Sequence, residues 1–140
     1  LRHLITLNNL ENRVVFCGSV THSELPRMYA GADVVVVPSI KDSSGDRDGL
    51  PNVVLEAMAS GRPLIASDAG AIATAITDYE NGLLVPPADP VALGQAIRRL
   101  GESRELREQL GRNGRRRAES NYEVGQCSDR FQRLLTTVYA

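Results

Sequence analysis

Residues 48 to 61 read DGLPNVVLEAMASG, and their types and order suit one task, gripping an anion that carries hydroxyl groups. Pro51 fits the first turn of a helix, where its missing N–H costs nothing, so the donors at this helix start are the amides of Gly49, Leu50, Asn52 and Val53. Gly49 lets the backbone come close to a ligand. The helix dipole alone contributes roughly 0.3–1 kcal/mol toward an exposed anion and about 2 kcal/mol when partly buried, so several amides and a cation must act together. Lys41 and Arg47 are the candidate cations. Asp48 precedes the helix and Glu56 lies on it, so two carboxylates flank the anion cradle. Carboxylates repel phosphate but accept O–H donors in pairs, which is the geometry of the vicinal diols of ribose or a pyranose.

These residues must be positioned by a scaffold, and the flanking pattern supplies one. Leu1, Leu4, Ile5, Leu7 and Leu10 have helical spacing, while Arg13, Val14, Val15, Phe16 and Cys17, before Gly18, read as a buried strand with Cys17 in the core. A helix follows, with Ser23 as its N-cap, Pro26 in its first turn, Leu25, Met28 and Tyr29 on an apolar face, and Gly31 at its end. Residues 33–37 form a strand of four consecutive valines, the pattern of a parallel strand buried on both faces. After a polar loop over 39–49 comes the helix with Val54, Leu55, Ala57 and Met58 inward, ended by Gly61, Arg62 and Pro63. Strands are expected over 63–67 and 81–85, with a short helix over 70–76 between them. Asp89 caps a helix that begins at Pro90, and two more helices follow, the last placing Val124, Cys127, Phe131, Leu134, Leu135 and Val138 at helical spacing. Alternating strands and helices with short connections define a doubly wound α/β fold, a Rossmann-like parallel sheet with helices on both faces. Ligands in such folds bind beyond the carboxyl ends of the strands, where the 48–61 helix begins.

Composition sets the outer limits. A chain of 140 residues with 42% apolar content makes one domain. Sixteen basic against seventeen acidic side chains give a net charge of −1, so no global field favours nucleic acid or an anionic membrane, and the run Arg112 to Arg117 sits among Glu102, Glu105, Glu108 and Glu119 as a solvated helix face. Aromatic content of 4% offers no stacking platform for bases. Cys17 and Cys127 have no metal-ligand or CxxC spacing and read as reduced thiols of a cytoplasmic protein. The acidic stretch 42–49 is not a calcium loop: with Gly49 at the turn, the coordinating twelfth position falls on Leu55. A glycosidase pair is disfavoured because Asp48 and Glu56 share one helix start beside an anion cradle instead of straddling a sugar bond.

The segment DGLPNVVLEAMASGRPLIASDAG, preceded by VVVVPS and followed by NGLLVPPADPVALGQAI, resembles the donor-binding motif of the group 1 glycosyltransferases, enzymes of GT-B architecture. The family's acidic residue, seven others, then Glu-Ala stands here as Asp48 through Glu56 and Ala57, and the variant GDRDGLPN is similar to enzymes of exopolysaccharide and colanic-acid assembly. The resemblance implies a retaining hexosyltransferase that takes a nucleoside-diphosphate sugar as substrate, with no cofactor and no metal. Residue by residue it implies that Glu56 holds the donor ribose, that Asp48 meets the donor sugar hydroxyls in the catalytic site, and that the amides of Asn52 and Val53 hold the distal phosphate beside Gly49 and Leu50. Val20 and His22 match positions near the base. Three departures bear on specificity: Asp48 is shorter than the usual Glu, Ala71 replaces a glycine, and Thr74 stands where relatives carry Glu.

The same resemblance implies parts outside these 140 residues. The basic Arg/Lys pair that neutralises the leaving diphosphate, the acceptor-binding domain for a glycan or lipid-linked acceptor, and two further strands of the sheet are expected upstream of Leu1. The chain is accordingly expected to be inactive by itself, a nucleotide-sugar binding module. Its sheet would be completed by a second copy or another segment, and any association with the inner membrane would run through the other half.

Overall fold

The computed structural model describes residues 1–40, 50–123 and 125. Expectations for Lys41, Arg47, Asp48 and Gly49, for the polar loop, and for the closing helix with Cys127 fall outside the described residues. In chain order the elements are α1 (Arg2–Leu7), α2 (Leu25–Gly31), β1 (Val35–Val37), α3 (Asn52–Ala59), β2 (Leu64–Ser67), α4 (Ile72–Ala75), β3 (Leu83–Val85), α5 (Pro90–Glu102) and α6 (Arg104–Asn121).

The three strands form one parallel sheet in the order β1-β2-β3, with Val36 opposite Ile65 and Ile65 opposite Leu83. Side chains alternate across a strand, so each strand feeds two cores. Val37, Leu64 and Ala66 join Val54, Ala57 and Met58 of α3, Ile72 and Ala75 of α4, and Ala118 of α6. Ile65, Leu83 and Val85 join Leu100 of α5 and Leu110 of α6 on the opposite face, with Val34 and Val36 packed alongside. A sheet apolar on both faces explains the uninterrupted valine run, because neither side of β1 can tolerate a polar alternation.

The caps show why the helices begin and end where they do. Asp89 Oδ1 accepts from the amides of Val91 and Ala92 at 3.0 and 2.9 Å, as expected of an N-cap. Ser103 does the same for α6, accepting from Leu106. Helix α3 closes through a paired bond pattern: the Gly61 amide donates to Met58 and the Arg62 amide to Ala57, with Gly61 at φ +67. The arginines of α6 are mostly solvated, as their acidic neighbours imply, with Arg115 paired to Glu119 and Arg112 and Arg104 to Glu108. Arg117 differs, reaching back to the carbonyls of Thr74 and Ala75 at the end of α4.

Two expectations are corrected. Residues 13–17 pair with no strand among the described residues, Val15 is 83% and Phe16 47% exposed, and Cys17 is an exposed thiol and not a core residue. A β-rich run becomes a strand only where a neighbour offers a ladder, and β1, at the edge of the observed sheet, is paired only to β2. Ser23 does not cap α2. The N-cap is Glu24, with no side-chain cap bond to α2 among the described residues; in the turn before the helix Glu24 Oε2 accepts from the Thr21 amide at 2.9 Å and from its hydroxyl at 2.5 Å, and these bonds hold the Glu24 carboxyl below its usual range. The three-residue separation of Thr21 and Glu24 lets the carboxylate reach back to the turn and satisfy two donors of Thr21.

Candidate functional site

Helix α3 follows β1 in a parallel sheet, so its N-terminus lies at the carboxyl ends of the strands. Pro51 occupies the N-cap with φ −62 and ψ 132, an extended conformation that its ring favours, and among the described residues no side chain caps the helix. The first amides of α3 have no partner within the helix, as at any helix N-terminus. Asn52 and Val53 are exposed there, while Leu50 turns inward against the first core. One turn further on, Val54, Ala57 and Met58 are fully buried and fix the helix to the sheet.

Behind α3 lies a seam that admits no side chains. Gly111 and Gly114 of α6 are both buried, and a Cβ on Gly111 would overlap the Gly61 carbonyl oxygen. A Cβ on Gly114 would lie 3.3 Å from the Asn81 carbonyl oxygen and against Met58. The backbones of α6 and the α3 terminus thus meet directly, and the far end of α3 is braced.

Glu56 stands half-buried on α3, and the phenol of Tyr29 donates to its Oε2 at 2.8 Å. Tyr29 comes from α2, with its ring packed on the first core. Burial, then the hydrogen bond and charge of Glu56, push the Tyr29 hydroxyl up to about 12. A neutral phenol is thereby kept as a donor to the carboxylate at neutral pH, a charge-assisted bond.

Of the expected site residues, Leu50, Asn52, Val53 and Glu56 are brought together on one helix start. Asp48 and Gly49 adjoin that start in sequence but lie outside the described residues. Val20 is half-buried and His22 exposed, in the loop before α2. That loop is tied to α3 indirectly, because α2 carries Tyr29. Sequence reasoning placed Tyr29 on the apolar face of its helix and missed its hydroxyl. The available signal was that a packed tyrosine needs a partner for its O–H.

A cleft of 380 Å3 lies at the opposite end of the sheet, before β1 and β2, between Asp33, Arg62, Pro63, Arg104, Arg107 and Glu108. Its arginines are committed in part: Arg62 Nη2 donates to the Ala30 carbonyl, Arg107 Nη1 to Leu100, and Arg104 to Glu108. It is remote from α3's start. Among the described residues no three His, Cys, Asp or Glu side chains are grouped to hold a metal ion, and no helix is long and apolar enough to cross a membrane.

Comparison with known proteins bears on the same helix. The family described as glycosyl transferases group 1 matches residues 1–117. A D-inositol 3-phosphate glycosyltransferase of Salinispora tropica is 38% identical over 119 residues, 83% of this chain and 23% of that protein. Sucrose-phosphate synthase of Thermosynechococcus elongatus superposes with a TM-score of 0.83 at 36% identity, covering 99% of this chain and 33% of that one. Anabaena HepE, solved in complex with UDP, superposes with a TM-score of 0.86 at 25% identity, over 97% of this chain and 35% of its own. The chain thus spans about a third or less of the length of each of these proteins. With the match running through the strand, the uncapped helix and Glu56, the chain belongs to the group 1 glycosyltransferases and has their Rossmann-like GT-B fold.

Proposed function

We propose that this chain is the donor side of a retaining hexosyltransferase, binding a nucleoside-diphosphate sugar and presenting the hexosyl group to an acceptor hydroxyl. The observation that carries this reading is the uncapped start of α3 at the strand tips, with the anchored carboxylate of Glu56 on the same helix. The amides of Asn52 and Val53 are suited to the distal phosphate and Glu56 to the ribose diol. Asp48, next in sequence, is assigned to the sugar hydroxyls, Gly49 and Leu50 to the backbone cradle, and Val20 and His22 to the neighbourhood of the base. Catalysis in this reading is electrostatic stabilisation of the departing diphosphate, without a protein base. The folded unit supplies the donor site alone, and the acceptor, a glycan or a lipid-linked sugar, is held by a separate half.

Titration calorimetry of the 140-residue chain with UDP, GDP and their hexose conjugates tests the binding site. Glu56→Ala is expected to weaken the preferred nucleotide about tenfold or more, as loss of hydrogen bonds to a charged group predicts. Equal affinity in the variant, or no binding of any of these ligands by the wild type, would remove the donor-site assignment. Retention is tested on product formed when the acceptor half is present: proton NMR should show the anomeric configuration of the donor, and an inverted product refutes that part. Binding without any transfer in that assembly would leave a noncatalytic nucleotide-sugar module instead.

A further inference from the structure

The pairing of Tyr29 with Glu56 joins two helices that are 27 residues apart in sequence. A glutamate on a helix surface has three side-chain torsions, and freezing them when a ligand arrives opposes binding. Here the restraint is in place beforehand. The tyrosine ring is wedged on the first core, its hydroxyl is aimed outward at 2.8 Å from Oε2, and α3 is fixed underneath by Val54, Ala57 and Met58. Two torsions of a packed tyrosine thus fix a flexible acid, and one carboxylate oxygen is taken while the other can meet a diol.

We propose that Tyr29 is a positioning residue for the donor nucleotide: by holding Glu56 Oε2 it orients the carboxylate toward the ribose hydroxyls and sets the preference for ribonucleotides over deoxyribonucleotides. The proposal rests on the donor-site reading of α3. The side-chain hydrogen bond of Tyr29 at this site is to Glu56, through which it acts. Its raised pKa keeps the proton on the phenol, so the contact remains a donor bond throughout neutral and mildly alkaline conditions.

The test measures Kd of the 140-residue chain for UDP and GDP, each beside its 2′-deoxy counterpart, in the wild type, Tyr29→Phe, Glu56→Gln and the double variant. Phenylalanine keeps the ring on the core and removes only the hydroxyl. The wild type should favour the ribonucleotide by about tenfold, a hydrogen bond to a charged group. Tyr29→Phe should cut that ratio to about threefold by weakening the ribonucleotide alone, since a freed carboxylate keeps part of its contact. The double variant should lose no more than Glu56→Gln, as expected when two residues act through one contact. Met28→Ala, on the same helix but exposed, should leave the ratio unchanged. A Tyr29→Phe variant that weakens both sugars equally, or leaves the ratio at its wild-type value, overturns the proposal while the donor site stands. A wild type that binds neither UDP nor GDP overturns the donor reading and this proposal together.

Discussion

At the scale of single residues, one hydrogen bond from the Tyr29 phenol to the Glu56 carboxylate joins two helices. Their coupling has a signature in alkaline solution. The Tyr29 hydroxyl is raised from 10.0 to about 12, first by burial and then by Glu56, so the fold favours the neutral phenol. A raised value in the folded state contributes stability that is complete below pH 10 and is lost as pH climbs through about 12. Urea unfolding followed across that window should therefore lose stability more steeply in the wild type than in Tyr29→Phe, and equal slopes would show that Tyr29 is not linked to folding. The sequence singled out Glu56 through the resemblance of the segment around it to the group 1 donor motif, since an acid on a helix is by spacing alone as well explained by a solvated face. It hid Tyr29, since the same spacing that places a tyrosine on an apolar face says nothing of where its hydroxyl ends. Ser23 misled in a similar way: Ser is a good cap in isolation, but the helix begins one residue later, with Glu24 at its N-cap and bonded back to Thr21.

Helices differ in how much they tolerate, and their glycines and caps make the difference measurable. Gly94 lies within α5 with nothing within 4 Å of a built Cβ, so Gly94→Ala should raise stability by about 0.5–1 kcal/mol through backbone entropy and helix propensity. Gly111, in α6, has the opposite prospect, because its Cβ would strike the Gly61 backbone, and Gly111→Ala should cost about 1–3 kcal/mol as overpacking does. Denaturant midpoints at constant slope compare the two, and a neutral Gly111→Ala would mean that the seam can open. Asp89→Ala removes two bonds to the first turn of α5 and should cost about 1 kcal/mol. The Asp89-Pro90 cap and the Gly61 terminator were legible because both are local: a side chain two or three residues from its amide, and a left-handed turn that glycine alone adopts cheaply. Gly111 and Gly114 were not, since their role exists only once α6 lies against α3.

At the level of the whole chain, the sheet was legible where each strand's neighbour lies within this sequence. The valine run, Leu64 to Ser67 and Leu83 to Val85 are apolar on both faces and pair as a parallel set. Residues 13–17 have the same composition without a ladder, so composition alone overstated them. Amide hydrogen exchange separates the two cases: Ile65 and Ala66, central in the sheet, should exchange slowest, and Val15 to Cys17 within seconds, a difference of several orders of magnitude. Slow exchange at Val15 would mean that another strand, from a second copy or another segment, lies against it. The glycine seam finally bears on how such a protein can diversify. Its contact sits at the tail of α3, where two backbones meet, whereas Asn52 and Val53 at the head face solvent. Under the proposed donor reading, substitutions that retune which ligand is welcomed can accumulate at the head without loosening the rod that carries them, while the mounting stays invariant.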